Sequence, residues 1–501
     1  MNKIQAAAAA AESSSRKTSV SISADIERII SELSDEAIRV LRELISIRST
    51  AGEPEENAPF GKGVQQAYEY MLKLAGADGF DVETAGNYGG HIEFGGYLLD
   101  ENGEITGVCE ETLGILCHLD VVPEGKGWSC DPYIGKVENE RIYGRGAIDN
   151  KGPTVACYFA MKVLKLLGFV PERKTRLILG LDEETGWDGM NQYLLSFKAP
   201  DIGFTPDAEF PAINGEKGIL TFALARKMEK PKSRGLLLRS IKGGNAPNMT
   251  PDFARAVVRG DHYEVIKTKA SEYRKKTGYE ISIKGIGKSL EITTKGISAH
   301  GAQPEKGLNA ISILFDFLSG LVFASESVND FIYFYNHHIG FELNGSSLGC
   351  GFCDEPSGNL VLNAGMISGD DKALKLTINV RYPVTVDQEQ VYDSIMPIAD
   401  KFDLGLIKLL HHDPIFFPAD SELIKTLVSI YRKHTGDMDS EPKVIGGGTF
   451  ARAAKNIAAF GADFPGVEST AHQKDEYIGI EHFLKLIRIY ADAIIELSYN
   501  V

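Results

Sequence analysis

No stretch of this chain approaches the roughly 18 apolar residues that a membrane-spanning helix needs, so no transmembrane segment is expected. Positive charge is in short supply. Lys and Arg number 53 against 69 Asp and Glu, a net charge of −16, which disfavours nucleic acid and anionic membrane surfaces as partners. Cysteine is scarce as well. Cys109, Cys117, Cys130, Cys157, Cys350 and Cys353 are too few in 501 residues for a disulfide framework. The one CxxC, Cys350 to Cys353, has no second pair and no zinc-ribbon spacing, so it reads as a loop carrying two thiols. The glycine-rich segment 144–153 matches neither the Walker spacing nor GxGxxG, and no solenoid repeat is visible. The alanine run 6–11 is too weakly apolar for a signal-peptide core, so residues 1–20 are expected to form a disordered leader on a cytoplasmic protein.

What is present is ordinary soluble-protein composition, 43% hydrophobic and 24% charged, in a chain long enough for two or three domains. Its most informative stretch is RLILGLDEETGWDG (176–189). A short β-capable apolar run there ends in Asp182, Glu183 and Glu184, the pattern of a buried strand delivering carboxylates at its tip. Ligands in open α/β sheets bind outside the carboxyl ends of strands. A second such strand, 113–117, delivers His118 and, two residues on, Asp120, the spacing of a metal-ligating imidazole and the carboxylate that orients it. Asp149 lies in the glycine-rich loop, Asp207 in a Pro-bounded loop and His472 in a late loop. Two histidines and three carboxylates suit a pair of divalent ions, but spacing alone does not assemble residues from five separate loops.

Periodicity predicts helices over 23–47 (broken near Ser34-Asp35), 60–75, 154–167, 420–434 and 480–499, with paired strands over 79–99. From about 218 to 414 the texture changes to strands (219–228, 290–294, 374–380) with helices at 253–258 and 309–320. The expected organisation is a leader (1–20), a catalytic domain in two parts (21–217 and 415–501), and an inserted α+β domain (218–414).

The segments HLDVVPEG (118–125), GRGAIDNKGP (144–153), DEETGW (182–187), TPDAEFPAINGEKG (205–218), ISAHGAQPEKGLNA (297–310), INVRYP (378–383) and GGGTFARAAKN (446–456), in this order, resemble the dinuclear zinc M20 peptidases. The resemblance is to their PepV-type dipeptidase branch, which acts on β-Ala-Xaa or Xaa-His dipeptides, and it runs from about residue 23 to the C-terminus. It implies an α/β fold: a zinc aminopeptidase-like catalytic domain, a mixed sheet flanked by helices, with an inserted α+β lid. It also implies two divalent metal ions, Zn²⁺ foremost with Mn²⁺ or Co²⁺ as alternatives, held by His118, Asp149 as the bridge, Glu184, Asp207 and His472. Asp207 would pair with His118, and Glu184 with His472.

Glu183 would be the general base acting on a metal-bridging water, Asp120 would orient His118, and His300 would stabilise the oxyanion. Asn248, Arg381, Gly447, Gly448 and Thr449 would bind substrate, with Arg381 on its terminal carboxylate. Two positions depart from the family pattern: Thr250 stands before Pro251 where Val is expected, and Phe450 where Tyr is usual. The implied partner is a small dipeptide, with no nucleic acid or membrane, and the implied state a monomer. An M20 deacylase (succinyl-diaminopimelate desuccinylase or acetylornithine deacetylase type) is the alternative, and a non-catalytic metal-binding scaffold a third reading.

Overall fold

The computed structural model of the chain describes residues 19–100, 102–231, 234–260 and 263–499. Residues 1–18 of the expected leader lie outside the described residues, and the helix Ser19–Ser46 takes in the last two positions of that leader. This helix is continuous, so the break expected at Ser34-Asp35 does not occur. Ile26, Ile29, Ile30, Ala37, Val40, Leu41, Leu44 and Ile45 are all buried and stay in phase with a 3.6-residue turn across the Ser-Asp pair. The Ser34 hydroxyl is absorbed by a bond to the Ser31 carbonyl.

The described residues divide into two compact units: those up to 214 with 417–443 and those from 449 on, and those of 215–416 with 444–448. The short return of Val444–Gly448 to the second unit departs from the expected assignment of 415–501 as a whole to the first.

In the first unit the sheet order is Asp81–Thr84, Gly90–Phe94, Lys174–Gly180, Thr112–His118, Ile202–Thr205, Ile457–Ala459 and then the strand beginning at Ile213. Lys174–Gly180, Thr112–His118, Ile202–Thr205 and Ile457–Ala459 are mutually parallel, while the outer pairings are antiparallel. Every residue of Thr112–His118 is buried, as expected of a central parallel strand covered on both faces. The helix Lys151–Leu166 is buried almost all round, packed between Ser19–Ser46 and the C-terminal helix Ile480–Leu497.

The second unit is built on an antiparallel sheet in the order Glu280–Ile286, Ser289–Lys295, Phe253–Arg259, Leu237–Gly243, Val361–Asp370, Ala373–Tyr382, Gly218–Lys227, Gly405–His412. Its helices are Tyr263–Thr277, Ala310–Ser319, Glu326–His338 and Gln388–Lys401. The helix expected at 253–258 is a strand. Ala254, Ala256 and Val258 point inward while Phe253, Arg255 and Arg259 point out, a period of two.

Candidate metal centre

Three parallel strands end at one edge of the first unit's sheet, and each hands over a candidate residue. Thr112–His118 closes on His118, Lys174–Gly180 leads into Asp182-Glu183-Glu184, and Ile202–Thr205 leads into Pro206-Asp207. Asp149 stands just before the helix Lys151–Leu166, and His472 in the loop before the strand Tyr477–Gly479, which pairs with Arg141–Tyr143.

Asp149 sits between the two histidines. Its Oδ1 is 3.1 Å from His118 Nε2 and its Oδ2 is 2.9 Å from His472 Nε2. Each histidine has a second carboxylate beside it: Asp207 Oδ1 lies 3.7 Å from His118 Nε2, and Glu184 Oε1 lies 2.9 Å from His472 Nε2. Two groups bring three ligand atoms within 4.8 Å of one another, His118 with Asp149 and Glu184, and His118 with Glu183 and Asp207. Geometry therefore places Glu183 within ligand reach as well as base reach. Asp182, the third acid of the run, turns away and accepts from the Gly189 N–H.

Supporting contacts hold this set in place. His118 Nδ1 lies 2.9 Å from the Asp120 carbonyl oxygen; a carbonyl only accepts, so Nδ1 carries a proton and Nε2 is the nitrogen that faces the Asp149 and Asp207 carboxylates. The Asp120 carboxylate is farther from that ring, 3.4 Å, and accepts instead from the Glu183 N–H (3.1 Å) and the Glu184 N–H (3.0 Å). Asp120 thus orients His118 with its backbone and the two glutamates with its side chain.

Residues that sequence reasoning passed over complete the frame. Asn150 donates to the Pro206 carbonyl (2.7 Å) and to Asp207 Oδ1 (3.1 Å). Glu476, fully buried, accepts from the Ile148 and Asp149 N–H groups and forms a 2.5 Å ion pair with buried Arg145, clamping the Asp149 loop to the segment that carries His472. The only available signal for Glu476 was its position four residues after His472. Phe450 is buried edge-on to His118 and against Trp187. A Cβ on Gly180 would come within 2.2 Å of its ring, which explains glycine at that strand end. Phe450 therefore packs against both His118 and Trp187, whose indole donates to the Glu183 carbonyl at 2.9 Å.

The sequence model of peptidase family M20/M25/M40 matches residues 114–496. The chain belongs to this family. It is accordingly a hydrolase of peptide bonds. It is 35% identical over 471 residues (93% of this chain, 97% of the other) to YtjP of Bacillus subtilis, provisionally described as a dipeptidase. It is also 35% identical over 473 residues (93% and 96%) to the β-Ala-Xaa dipeptidase of Lactobacillus delbrueckii subsp. lactis. Among solved structures, the aminoacylhistidine dipeptidase of Vibrio alginolyticus aligns over 93% of this chain and 98% of its own with TM-score 0.54, at 16% identity, a likeness of fold.

In this M20 chain the charge balance of the cluster tests whether it suits a cation. Burial, reinforced by Asp207, holds the Glu183 carboxyl well above the usual range; burial and the Asp149 charge push Glu184 up to about 7. Burial opposes charge on the histidines too, but the carboxylates override it. His118 rises well above its ordinary value and His472 to about 11. Glu183 and Glu184 hold protons because few positive charges are at hand, whereas Asp149, buried but bonded to both histidines, is held well below the carboxylate range; His118 Nε2, though 3.1 Å from Asp149 Oδ1, makes no hydrogen bond of regular geometry. A donor set of imidazole nitrogens and carboxylates fits divalent ions of the Zn²⁺, Mn²⁺ or Co²⁺ kind.

Groups whose pKa is raised in the metal-free protein must lose protons to coordinate, so metal affinity should climb with net proton release from about pH 6, where Glu184 begins to ionise, and keep climbing toward about pH 11, where His472 does. Calorimetric titration in two buffers of different ionisation enthalpy measures that release; a pH-independent affinity would remove Glu184 and His472 from the ligand set.

The second unit carries the remaining expected residues except Thr449. Asn248 and His300 are exposed on two loops stitched together by the Met249–His300 bridge and by the Gly301 N–H to Asn248 carbonyl bond of 2.7 Å. Asn363 ties the first loop to the sheet through the Pro247 and Met249 carbonyls, and Thr250 donates its hydroxyl to Asn363. The departure from Val at Thr250 therefore adds an anchor. Across the strand pair Asn363 faces Asn379, which accepts from Arg381 Nε at 3.0 Å. Gly446, at the head of the glycine run, lies so close to Ala302 that a Cβ would approach its methyl to 3.1 Å; Gly447 and Gly448 follow it. Thr449 belongs to the first unit, buried, its hydroxyl capping the turn Phe450–Ala453.

Proposed function

We propose that the chain is a metal-dependent dipeptidase acting on unblocked dipeptides as a monomer. Two divalent ions, Zn²⁺ by preference, would be held by His118, Asp149, Glu184, Asp207 and His472. The observation that carries this reading is Asp149 reaching one histidine with each of its oxygens, while each histidine keeps a second carboxylate of its own. When bound, such a pair of ions acidifies a water and polarises the scissile carbonyl.

The remaining roles fall to the protein. Glu183 takes the proton of the attacking water and delivers it to the leaving amine. Its backbone is held by Asp120 at the N–H and by the Trp187 indole at the carbonyl, so its carboxyl starts from a fixed base. His300 donates to the carbonyl oxygen as charge builds there, an effect of about 3 kcal/mol where such a donor has been removed from comparable sites. Arg381 supplies a planar fork for the substrate's terminal carboxylate. Asn248 and the N–H groups of Gly447 and Gly448, with Thr449, hold the remainder, and the second unit serves as a lid. The dipeptidases among the relatives support the choice of substrate class.

The test is hydrolysis of Ala-His, β-Ala-His, N-acetyl-Ala-His and N-succinyl-diaminopimelate by the metal-loaded protein, with and without chelator. Chelator-sensitive turnover of the unblocked dipeptides alone is expected. Turnover of only the acylated compounds would replace this reading with an M20 deacylase, and no turnover of any would favour a scaffold. Arg381→Ala should raise KM for dipeptides at least about 10-fold, as expected for loss of a charge-assisted bond, with little change for C-terminally amidated analogues. Equal losses on both substrates would take Arg381 out of the carboxylate role.

A further inference from the structure

A cavity of about 180 Å³ opens on the metal centre within the first unit, and one of its walls has no part in the scheme above. Asp149 and Asp207 line it, and so does Asp463, flanked by the small side chains of Ala208, Ala462 and Ala471. Asp463 is placed by main-chain pairing. Ala462–Asp463 runs parallel to Ala208–Glu209, and the Phe210 N–H donates to the Asp463 carbonyl at 2.8 Å. Asp463, like His472, stands outside both three-ligand groups, but unlike His472 it forms no ion pair with a member of either group among the described residues. Its carboxyl accepts from Ser469, and no Lys, Arg or His among the described residues forms an ion pair with it, whereas nearby Glu209 is neutralised by Lys443 at 2.7 Å. This cavity therefore presents a carboxylate beyond the five residues assigned to the metal ions.

An unblocked dipeptide brings one obligatory cation to this place. Its ammonium is one carbon from the scissile carbonyl in an α-amino substrate and two carbons away in a β-alanyl one, so whatever reads it must open on the same cavity as the metal ligands. Bound divalent ions would repel it. We propose that Asp463 receives the free amino group of the substrate and thereby sets the preference for unblocked N-termini. The inference rests on the dipeptidase reading. Asp463 acts by binding and orientation; it exchanges no proton with the reacting atoms.

The experiment compares wild type, Asp463→Asn and Asp463→Glu, all metal-loaded, on Ala-His, β-Ala-His, Lys-His and propionyl-histidine, the last being Ala-His without its amine. Metal content per chain is measured alongside. The expected result for Asp463→Asn is a fall of about 30-fold in the kcat/KM ratio of Ala-His to propionyl-histidine, the size of one charge-assisted hydrogen bond, carried mainly by KM and at unchanged metal content. Asp463→Glu advances the carboxylate by one methylene and should shift the ratio of Ala-His to β-Ala-His toward the shorter amine. Equal losses on Ala-His and propionyl-histidine, or loss of metal, would overturn the proposal and leave Asp463 a structural residue. A loss confined to Lys-His would overturn it in favour of side-chain reading. No hydrolysis of any dipeptide by wild type would overturn the dipeptidase reading and this inference with it.

Discussion

Glu183→Gln is expected to lower kcat by about 10³-fold while both metal ions stay bound. Gln keeps the volume and the backbone contacts of Glu183 but cannot carry a proton from water to amine. The magnitude is that of losing a positioned general base, well above the effect of disturbing a surface charge. The measurement must include metal content, because Glu183 also lies within 4.8 Å of ligand atoms on His118 and Asp207. Activity lost at full metal occupancy identifies the proton shuttle. Activity lost together with one ion identifies a ligand, and the base would then have to be sought elsewhere.

Glu476→Ala should be the most damaging change away from the reacting atoms. Arg145 and Glu476 are both buried and pair at 2.5 Å, so removing the acid strands a guanidinium in the interior, a loss of about 3–5 kcal/mol. The Ile148 and Asp149 N–H groups lose their acceptor at the same time. Asp149 is the residue that reaches both histidines, so metal affinity should fall by about 10- to 100-fold, as for other contacts that orient a ligand. Thermal denaturation of the metal-free protein reads the first effect and metal titration the second. An exposed pair such as Arg28–Glu32, 57% and 58% exposed, is the contrast; breaking it should cost under about 0.5 kcal/mol. A stability loss that small for Glu476→Ala would mean that water reaches Arg145 and that the clamp is not structural.

The local signals that succeeded share one physical basis. In 176–189 and 113–120 a buried parallel strand demands an unbroken apolar run, and the polar residues at its end must then lie at the sheet edge, so His118 and the acids after Leu181 stood out in the sequence. Where the apolar run was shorter, the reading failed. At 253–258 a few residues satisfy a period of two as well as one helical turn, and pairing with the strands on either side decided for the strand. At Ser34-Asp35 local propensity argued for a break, and the stripe buried against the rest of the first unit overrode it.

The candidate metal residues, and the resemblance that grouped them, were determined by the sequence itself, because strand tips and motif segments are contiguous. Only the tertiary structure decided what holds those residues. Arg145 and Glu476 are 331 positions apart, Asn150 and Asp207 57, and Ala462-Asp463 meets Ala208-Glu209 through a two-residue parallel pairing. No periodicity connects such positions. They meet because the sheet order joins strands distant in the chain, and buried charge has to find its partner wherever the fold has brought one.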